Sequence, residues 1–237
     1  MKAIILAGGK ATRLNPLSYE MPKALITVQR KPIINYLIGL LRQYRVKEIA
    51  VIIAPTWKRE FSDWRRRYFS KMRPQIKLVI EEEPMGTFGG TRKYLQKWVG
   101  SGSFFLSNGD ELKRINLTQL KKFHARQKKQ HGVFGTIALV RVPNPQDYGV
   151  AVLEGDKIMK FVEKPVNPPS HYINSGFYLL DSEVFDHAPA EQKYVMVEKD
   201  VFPVLAEQGR LAGFKFDGPW FDCGTFERWE EAIKNWK

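Results

Sequence analysis

Cysteine is nearly absent from this 237-residue chain. The single thiol, Cys223, has no partner for an internal disulfide and suits a reducing cytoplasm. Long apolar runs are missing as well. Stretches such as Ala3-Ile4-Ile5-Leu6-Ala7 and Ile49-Ala50-Val51-Ile52-Ile53 fall far short of the roughly 20 residues that cross a bilayer. The first has only Met1 and Lys2 before it and runs into glycines, so it reads as a buried strand and not as a secretory signal. No repeat, low-complexity tract or linker divides the chain. Acid is scarce beside base: 25 Asp and Glu face 38 Lys and Arg, a formal charge of +13. That excess suits a polyanion, either nucleic acid or a multiply phosphorylated substrate. It equally suits a solvated basic surface, because much of it sits in helical-looking runs: Lys58-Arg59, Arg65-Arg66-Arg67, and Lys121-Lys122 with Lys128-Lys129. No recognisable nucleic-acid-binding module accompanies it. Neither a nucleic acid nor a membrane is an expected partner.

What remains is a chain with 43% hydrophobic and 13% aromatic residues, enough for one well-buried core. Its pattern alternates strand and helix. A strand over 2–7 leads into a long polar loop to about residue 31. Pro32 opens a helix with Ile33, Tyr36, Leu37, Leu40 and Leu41 on one face. A strand at 48–54 precedes the basic stretch 57–71, where Phe61, Trp64 and Tyr68 recur at helical spacing and read as core-facing. Strand 76–81, helix 88–98, strand 103–107 and helix 116–129 follow, then a β-rich middle at 133–163. Strand 172–180, helix 197–208 and a last helix at 225–236 complete the reading. The early alternation implies an α/β fold with a mostly parallel sheet covered on both faces. Ligands on such sheets bind beyond the carboxyl ends of the strands.

Several segments at those ends carry chemistry. The first strand runs into Gly8-Gly9-Lys10-Ala11-Thr12-Arg13, with Pro22-Lys23 beyond. Paired glycines let backbone N–H groups approach an anion. Arg13 supplies a planar fork for phosphate and Lys23 a compact charge. The run fits neither G-x-x-x-x-G-K-[ST] nor G-x-G-x-x-G. The apolar strand Phe104-Phe105-Leu106-Ser107 ends in Asn108-Gly109-Asp110, a turn or a metal carboxylate. Trp220-Phe221-Asp222-Cys223-Gly224-Thr225 places a second aspartate in what reads as a loop before a helix. Glu111, next to Asp110, reads as solvent-exposed, with tuning of the local charge as the alternative.

Taken in order, these segments resemble the sugar-1-phosphate nucleotidyltransferase family. Its opening motif L-A-G-G-x-G-T-R-L-x-P-L-T, then P-K-x-L, appears here as Leu6 to Ser18 and Pro22-Lys23-Ala24-Leu25, followed by Val28 and Lys31-Pro32. Glu81-Glu82-Glu83-Pro84-Met85-Gly86-Thr87 is similar to E-x-x-x-L-G-T. Tyr148-Gly149-Val150, Val162-Glu163-Lys164-Pro165 and Ile173-Asn174-Ser175-Gly176-Phe177-Tyr178 match Y-G-V, V-E-K-P and I-N-x-G-x-Y. The short mannose- or heptose-1-phosphate guanylyltransferase-like and glucose-1-phosphate thymidylyltransferase-like members are the nearest in pattern.

The resemblance implies a Rossmann-like three-layer αβα sandwich with a β-rich sugar-binding portion. It implies one domain over 1–237, with a nucleotide part at about 1–130, a sugar part at about 131–225 and a C-terminal helix at 225–236. It implies transfer of a nucleoside monophosphate from a nucleoside triphosphate to a sugar 1-phosphate, with Mg2+ as cofactor. Leu6, Ala7, Gly8, Gly9, Arg13, Lys23, Glu83, Gly86, Thr87 and Asn108 would bind the nucleotide. Arg13, Lys23 and Asp110 would be catalytic. Asp110 and Asp222 would hold the metal. Tyr148, Gly149, Glu163, Lys164 and Asn174 would hold the sugar phosphate. Relatives commonly self-associate, so a homo-oligomer is expected. Ala11 departs from the pattern, which has glycine there; a left-handed backbone at that point would cost alanine about 1–2 kcal/mol. Such departures keep open a catalytically silent regulatory member, and the charge keeps open a basic nucleic-acid-binding protein.

Overall fold

The computed structural model describes residues 1–70 and 75–237, so residue 71, the predicted end of the basic helix, lies outside the described residues. In chain order the elements are β1 (Lys2–Leu6), α1 (Leu17–Glu20), β2 (Thr27–Val28), β3 (Lys31–Pro32), α2 (Ile33–Gln43), β4 (Glu48–Ile53), α3 (Lys58–Phe69) and β5 (Gln75–Ile80). Then come α4 (Gly86–Val99), β6 (Ser103–Asn108), β7 (Glu111–Lys113), α5 (Leu117–His131), β8 (Gly135–Arg141), β9 (Gly149–Glu154), β10 (Lys157–Glu163) and β11 (Tyr172–Asp181). A π-helical turn, Val197–Val201, runs into α6 (Phe202–Glu207), followed by β12 (Leu211–Lys215), β13 (Trp220–Asp222) and α7 (Phe226–Asn235). The chain folds as two compact units: Met1–Pro84 with Ser107–Ile115 and Gly218–Lys237, and Met85–Leu106 with Asn116–Asp217.

The first unit is built on β5, β4 and β1, side by side and parallel, with Ile4 opposite Ala50 and Ile52 opposite Val79. Ile4, Ile5, Ile49, Val51 and Ile53 are fully buried, which is why β1 and β4 read as continuous apolar runs and not as alternation. Helix α2 buries Ile33, Leu37 and Leu41 as its spacing predicts, leaves Tyr36 and Leu40 half-buried, and also buries Ile34 and Ile38, which the predicted face did not include. Of the aromatic stripe of α3, Phe61 and Trp64 are buried and Tyr68 is half-buried, and the Trp64 indole N–H donates to Asn35 Oδ1 at 2.7 Å. A separate cluster joins Leu14, Ile26, Val28 and Ile33 to Leu112, Cys223, Ala232 and Trp236. Each such fully buried aliphatic side chain contributes about 1.5–3 kcal/mol. The cluster thereby brings β7 and β13 together as an antiparallel ribbon, with Asp222 opposite Glu111 and Trp220 opposite Lys113.

The second unit has a different architecture. β11 pairs antiparallel with β8, β8 parallel with β12, β12 antiparallel with β10, and β10 antiparallel with β9. β9 then returns to β11 through Val150 and Ile173, closing a five-stranded barrel-like ring. Closure satisfies strand edges that would otherwise be open. The β8–β11 register shifts between Asn174 and Tyr178, a bulge at the inside of the ring's longest strand. Helix α5 begins where Asn116 Oδ1 accepts from the Thr118 and Gln119 amides and stops at left-handed Gly132, both ordinary helix-boundary chemistry.

The architecture is therefore mixed α/β. Parallel pairing describes β5, β4 and β1 of the first unit, whose β2–β3 and β7–β13 pairs are antiparallel, and the second unit is mainly antiparallel. The segment expected as loop to residue 31 contains α1 and the β2–β3 hairpin. Strands β12 and β13 stand where no strand was expected, and the helix expected at 197–208 begins as a π turn. No helix among the described residues is long and apolar enough to cross a membrane.

Candidate active site

Three segments of the first unit meet at one point. The Lys23 ammonium lies 2.5 Å from Asp110 Oδ2 and 3.6 Å from Asp222 Oδ1. Asp222 Oδ2 accepts from Arg228 Nη1 at 2.8 Å. The Arg13 guanidinium lies over Gly224: a methyl group there would sit 3.1 Å from Arg13 Nη2 and 2.7 Å from Asp222 Oδ1, so the bare backbone is what lets the two side chains approach. The glycine loop joins this site through Leu6, whose carbonyl accepts from the Gly109 amide at 2.9 Å. Leu6, Ala7 and Gly8 are half-buried, while Gly9 and Arg13 are exposed.

Electrostatics follow from that geometry. Burial alone would push the Asp110 carboxyl up, but the Lys23 ammonium beside it, helped by Lys113, holds it below the ordinary carboxylate range. Burial would lower Lys23, and Asp110 with Asp222 more than offset this, holding the ammonium charged. Burial raises the Cys223 thiol to about 12, so it is an inert core group and not a nucleophile.

Glu111 is corrected from its expected exposure. It is 8% exposed, and its carboxylate accepts from Asn108 Nδ2 at 3.0 Å, Lys113 Nζ at 3.0 Å and Trp220 Nε1 at 2.9 Å. Asp222 is likewise corrected from loop to strand.

A profile of the nucleotidyl transferase family matches residues 2–237. The chain belongs to the nucleotidyl transferase family. It is similar to the mannose-1-phosphate guanyltransferase of Candida albicans, 35% identical over 231 residues, and to the mannose-1-phosphate guanylyltransferase catalytic subunit beta of Danio rerio, 35% identical over 228 residues. Each match covers 94% of this chain, and the chain spans 61% of each relative's length. A crystal structure from Bacillus anthracis, described as a "putative glucose-1-phosphate thymidylyltransferase" in complex with a sucrose, superposes with a TM-score of 0.87 at 25% identity, covering 99% of this chain and 94% of that one.

The other expected positions sit as follows. Glu83 is an exposed residue of the first unit. In the second unit Gly86 opens α4, and the Thr87 hydroxyl donates to Glu198 while accepting from the Val197 amide at 2.9 Å. Around the ring, Gly149 lies so close to Glu163 that a Cβ would come within 2.7 Å of its Oε2. The Lys164 amide donates to the Tyr148 carbonyl at 3.1 Å. Lys164 holds a left-handed φ of 48°, unusual for a side chain of that size. Its ammonium is 4.0 Å from Glu163 Oε1. Burial raises the Glu163 carboxyl, against the pull of Lys164 and Lys199. Asn174 Nδ2 donates to the Tyr178 hydroxyl at 2.8 Å, and its Oδ1 accepts from the Gly176 amide at 2.8 Å.

Sequence reasoning missed two hydrogen-bond partners of the expected positions, Arg228 on Asp222 and Glu198 on Thr87. Arg228 was hidden because a lone arginine in a helix reads as a solvated face. Glu198 was hidden in the same way, yet it is buried and accepts from Thr87 and, at 3.3 Å, from Tyr178. No local sequence pattern marks it, and the π turn that carries it shows only in the structure.

Proposed function

We propose that this chain transfers a nucleoside monophosphate from a nucleoside triphosphate to a sugar 1-phosphate, giving a nucleoside diphosphate sugar and pyrophosphate. GTP with mannose- or heptose-1-phosphate is the favoured pair, and the names of the Candida albicans and Danio rerio relatives support the mannose compound. The observation that carries the reading is the Lys23 ammonium between Asp110 and Asp222 beside the glycine loop.

That arrangement fits a magnesium ion. Two carboxylates, one from the turn after β6 and one from the end of β13, share the Lys23 ammonium already, and hard oxygen donors of this kind suit Mg2+, which takes one or two protein carboxylates and completes its shell with water and phosphate oxygens. Asp110 and Asp222 would hold it, where it supplies charge neutralisation to the triphosphate. The reaction requires no general base, because the attacking phosphate oxygen is already anionic. It must bring two anions together, so positioning and charge carry the catalysis. Arg13 and Lys23 bind the triphosphate, and backbone at Ala7, Gly8 and Gly9 with Leu6, Glu83, Gly86, Thr87 and Asn108 bind the rest of the nucleotide. Lys164 takes the sugar phosphate, and Tyr148, Gly149, Glu163 and Asn174 take the sugar. The chain acts as one nucleotidyltransferase domain with a Rossmann-like nucleotide part, in the cytoplasm, self-associated, and without a nucleic-acid partner.

Pyrophosphate release across a matrix of the common nucleoside triphosphates and several hexose and heptose 1-phosphates tests this reading. Asp110→Asn and Asp222→Asn are each expected to lower turnover by about 10- to 100-fold, the rate equivalent of one charged interaction of about 1.5–3 kcal/mol, while the protein stays folded. Wild-type magnesium-dependent rates in both variants would sink the assignment.

A further inference from the structure

Glu111 has no role in the scheme above, yet its carboxylate links the turn that carries Asp110 to the strand that ends at Asp222. Its Oε1 accepts from Asn108 Nδ2, closing a four-residue turn around Gly109 and Asp110. Its Oε2 accepts from Trp220 Nε1 on the neighbouring strand, where Glu111 is the register partner of Asp222. Lys113 Nζ completes the set on the same oxygen. The side chains of Glu111 and Lys113 are only 10% and 1% exposed.

A buried ion pair adds little stability over apolar residues of equal volume. Its three bonds do, however, fix geometry, and a site that shares one cation between two carboxylates depends on their spacing. We propose that Glu111 is a positioning residue: it sets the spacing of Asp110 and Asp222 by tying the Asn108–Asp110 turn to the Trp220–Asp222 strand. This rests on the reading of those aspartates as metal ligands. Glutamine cannot replace it. The three bonds use both carboxylate oxygens, and glutamine offers one acceptor oxygen and an amide that would face a donor.

The test is Mn2+ binding in the presence of GTP, followed by the electron paramagnetic resonance signal of free Mn2+, on the wild-type chain, Glu111→Gln and Trp220→Phe. The expected result is about tenfold weaker Mn2+ binding in E111Q and a smaller loss of the same kind in W220F. The turnover number should fall in parallel, and the KM for the sugar 1-phosphate should stay unchanged. Wild-type Mn2+ affinity in a folded E111Q protein would overturn the proposal. Should E111Q fail to fold, W220F decides alone, because it removes one donor and keeps the ring; unchanged Mn2+ affinity there overturns the proposal too. A wild-type chain that binds no Mn2+ with GTP would instead overturn the metal-site reading and this proposal with it.

Discussion

Replacing Lys23 with methionine should destabilise the protein and, at the same time, make it responsive to magnesium. Methionine keeps the unbranched stem and removes the charge. Two carboxylates that shared an ammonium at 2.5 and 3.6 Å then face each other without it. Stripping one partner from a buried pair costs about 3–5 kcal/mol. Asp110 retains 32% of its side-chain exposure, and water screens exposed pairs down to about 0–1 kcal/mol, so an intermediate loss of about 2 kcal/mol is expected. The vacated position suits a divalent cation. Magnesium at a hundredfold excess over its dissociation constant would return about 2.7 kcal/mol, enough to restore the loss. Urea denaturation with and without millimolar Mg2+, in the absence of nucleotide, measures both effects. The wild-type midpoint should move little with Mg2+, because Lys23 competes for the same two oxygens, and the variant's midpoint should rise towards the wild-type value. A variant as insensitive to Mg2+ as the wild type would show that the aspartates do not form a cation site.

Two further outcomes follow from local structure. Ala11 sits at φ 50°, ψ 38°, where an L-residue carries a strain of about 1–2 kcal/mol; glycine relieves it but gains about 0.4–1 kcal/mol of unfolded-state freedom. Ala11→Gly should therefore raise the urea midpoint by the equivalent of about 0.5–1 kcal/mol, and a lowered midpoint would contradict the strain. Burial holds the Glu198 carboxyl above its ordinary range despite its hydrogen bonds from Thr87 and Tyr178. A raised folded-state value means that its stabilisation is complete below about pH 4.3, the ordinary glutamate value, and is lost as pH rises through the folded value. Glu198→Gln lacks that titration, so its stability relative to wild type should increase from pH 4.5 to 7.5; parallel profiles would refute it.

Much of the first unit was legible because its signals are local. The apolar run before Gly8-Gly9 could only be a buried strand, and the spacing of Phe61, Trp64 and Tyr68 specified a helix face. In the second unit, Asn116 and Gly132 bracket α5 with equally local chemistry that needs no partner elsewhere. The β7–β13 ribbon had no such signal. Its strands are three residues long, too short to show any period, and the Trp220–Glu111 bond spans 109 positions. Glu111 therefore looked like the charged end of a turn, although Lys113 and Trp220 bury it. The ring of the second unit was illegible for a related reason. Its closing contact is one register pair, Val150 with Ile173, and no pattern along either strand announces it.

The interleaved composition of the first unit has a consequence for biogenesis. Leu14, Ile26, Val28 and Ile33 are translated early, but Cys223, Ala232 and Trp236 cover them only after the intervening second unit has been made. A nascent chain halted before residue 218 would display that oily surface, together with an anion cradle lacking its second acid. Such chains are candidates for chaperone retention on the ribosome.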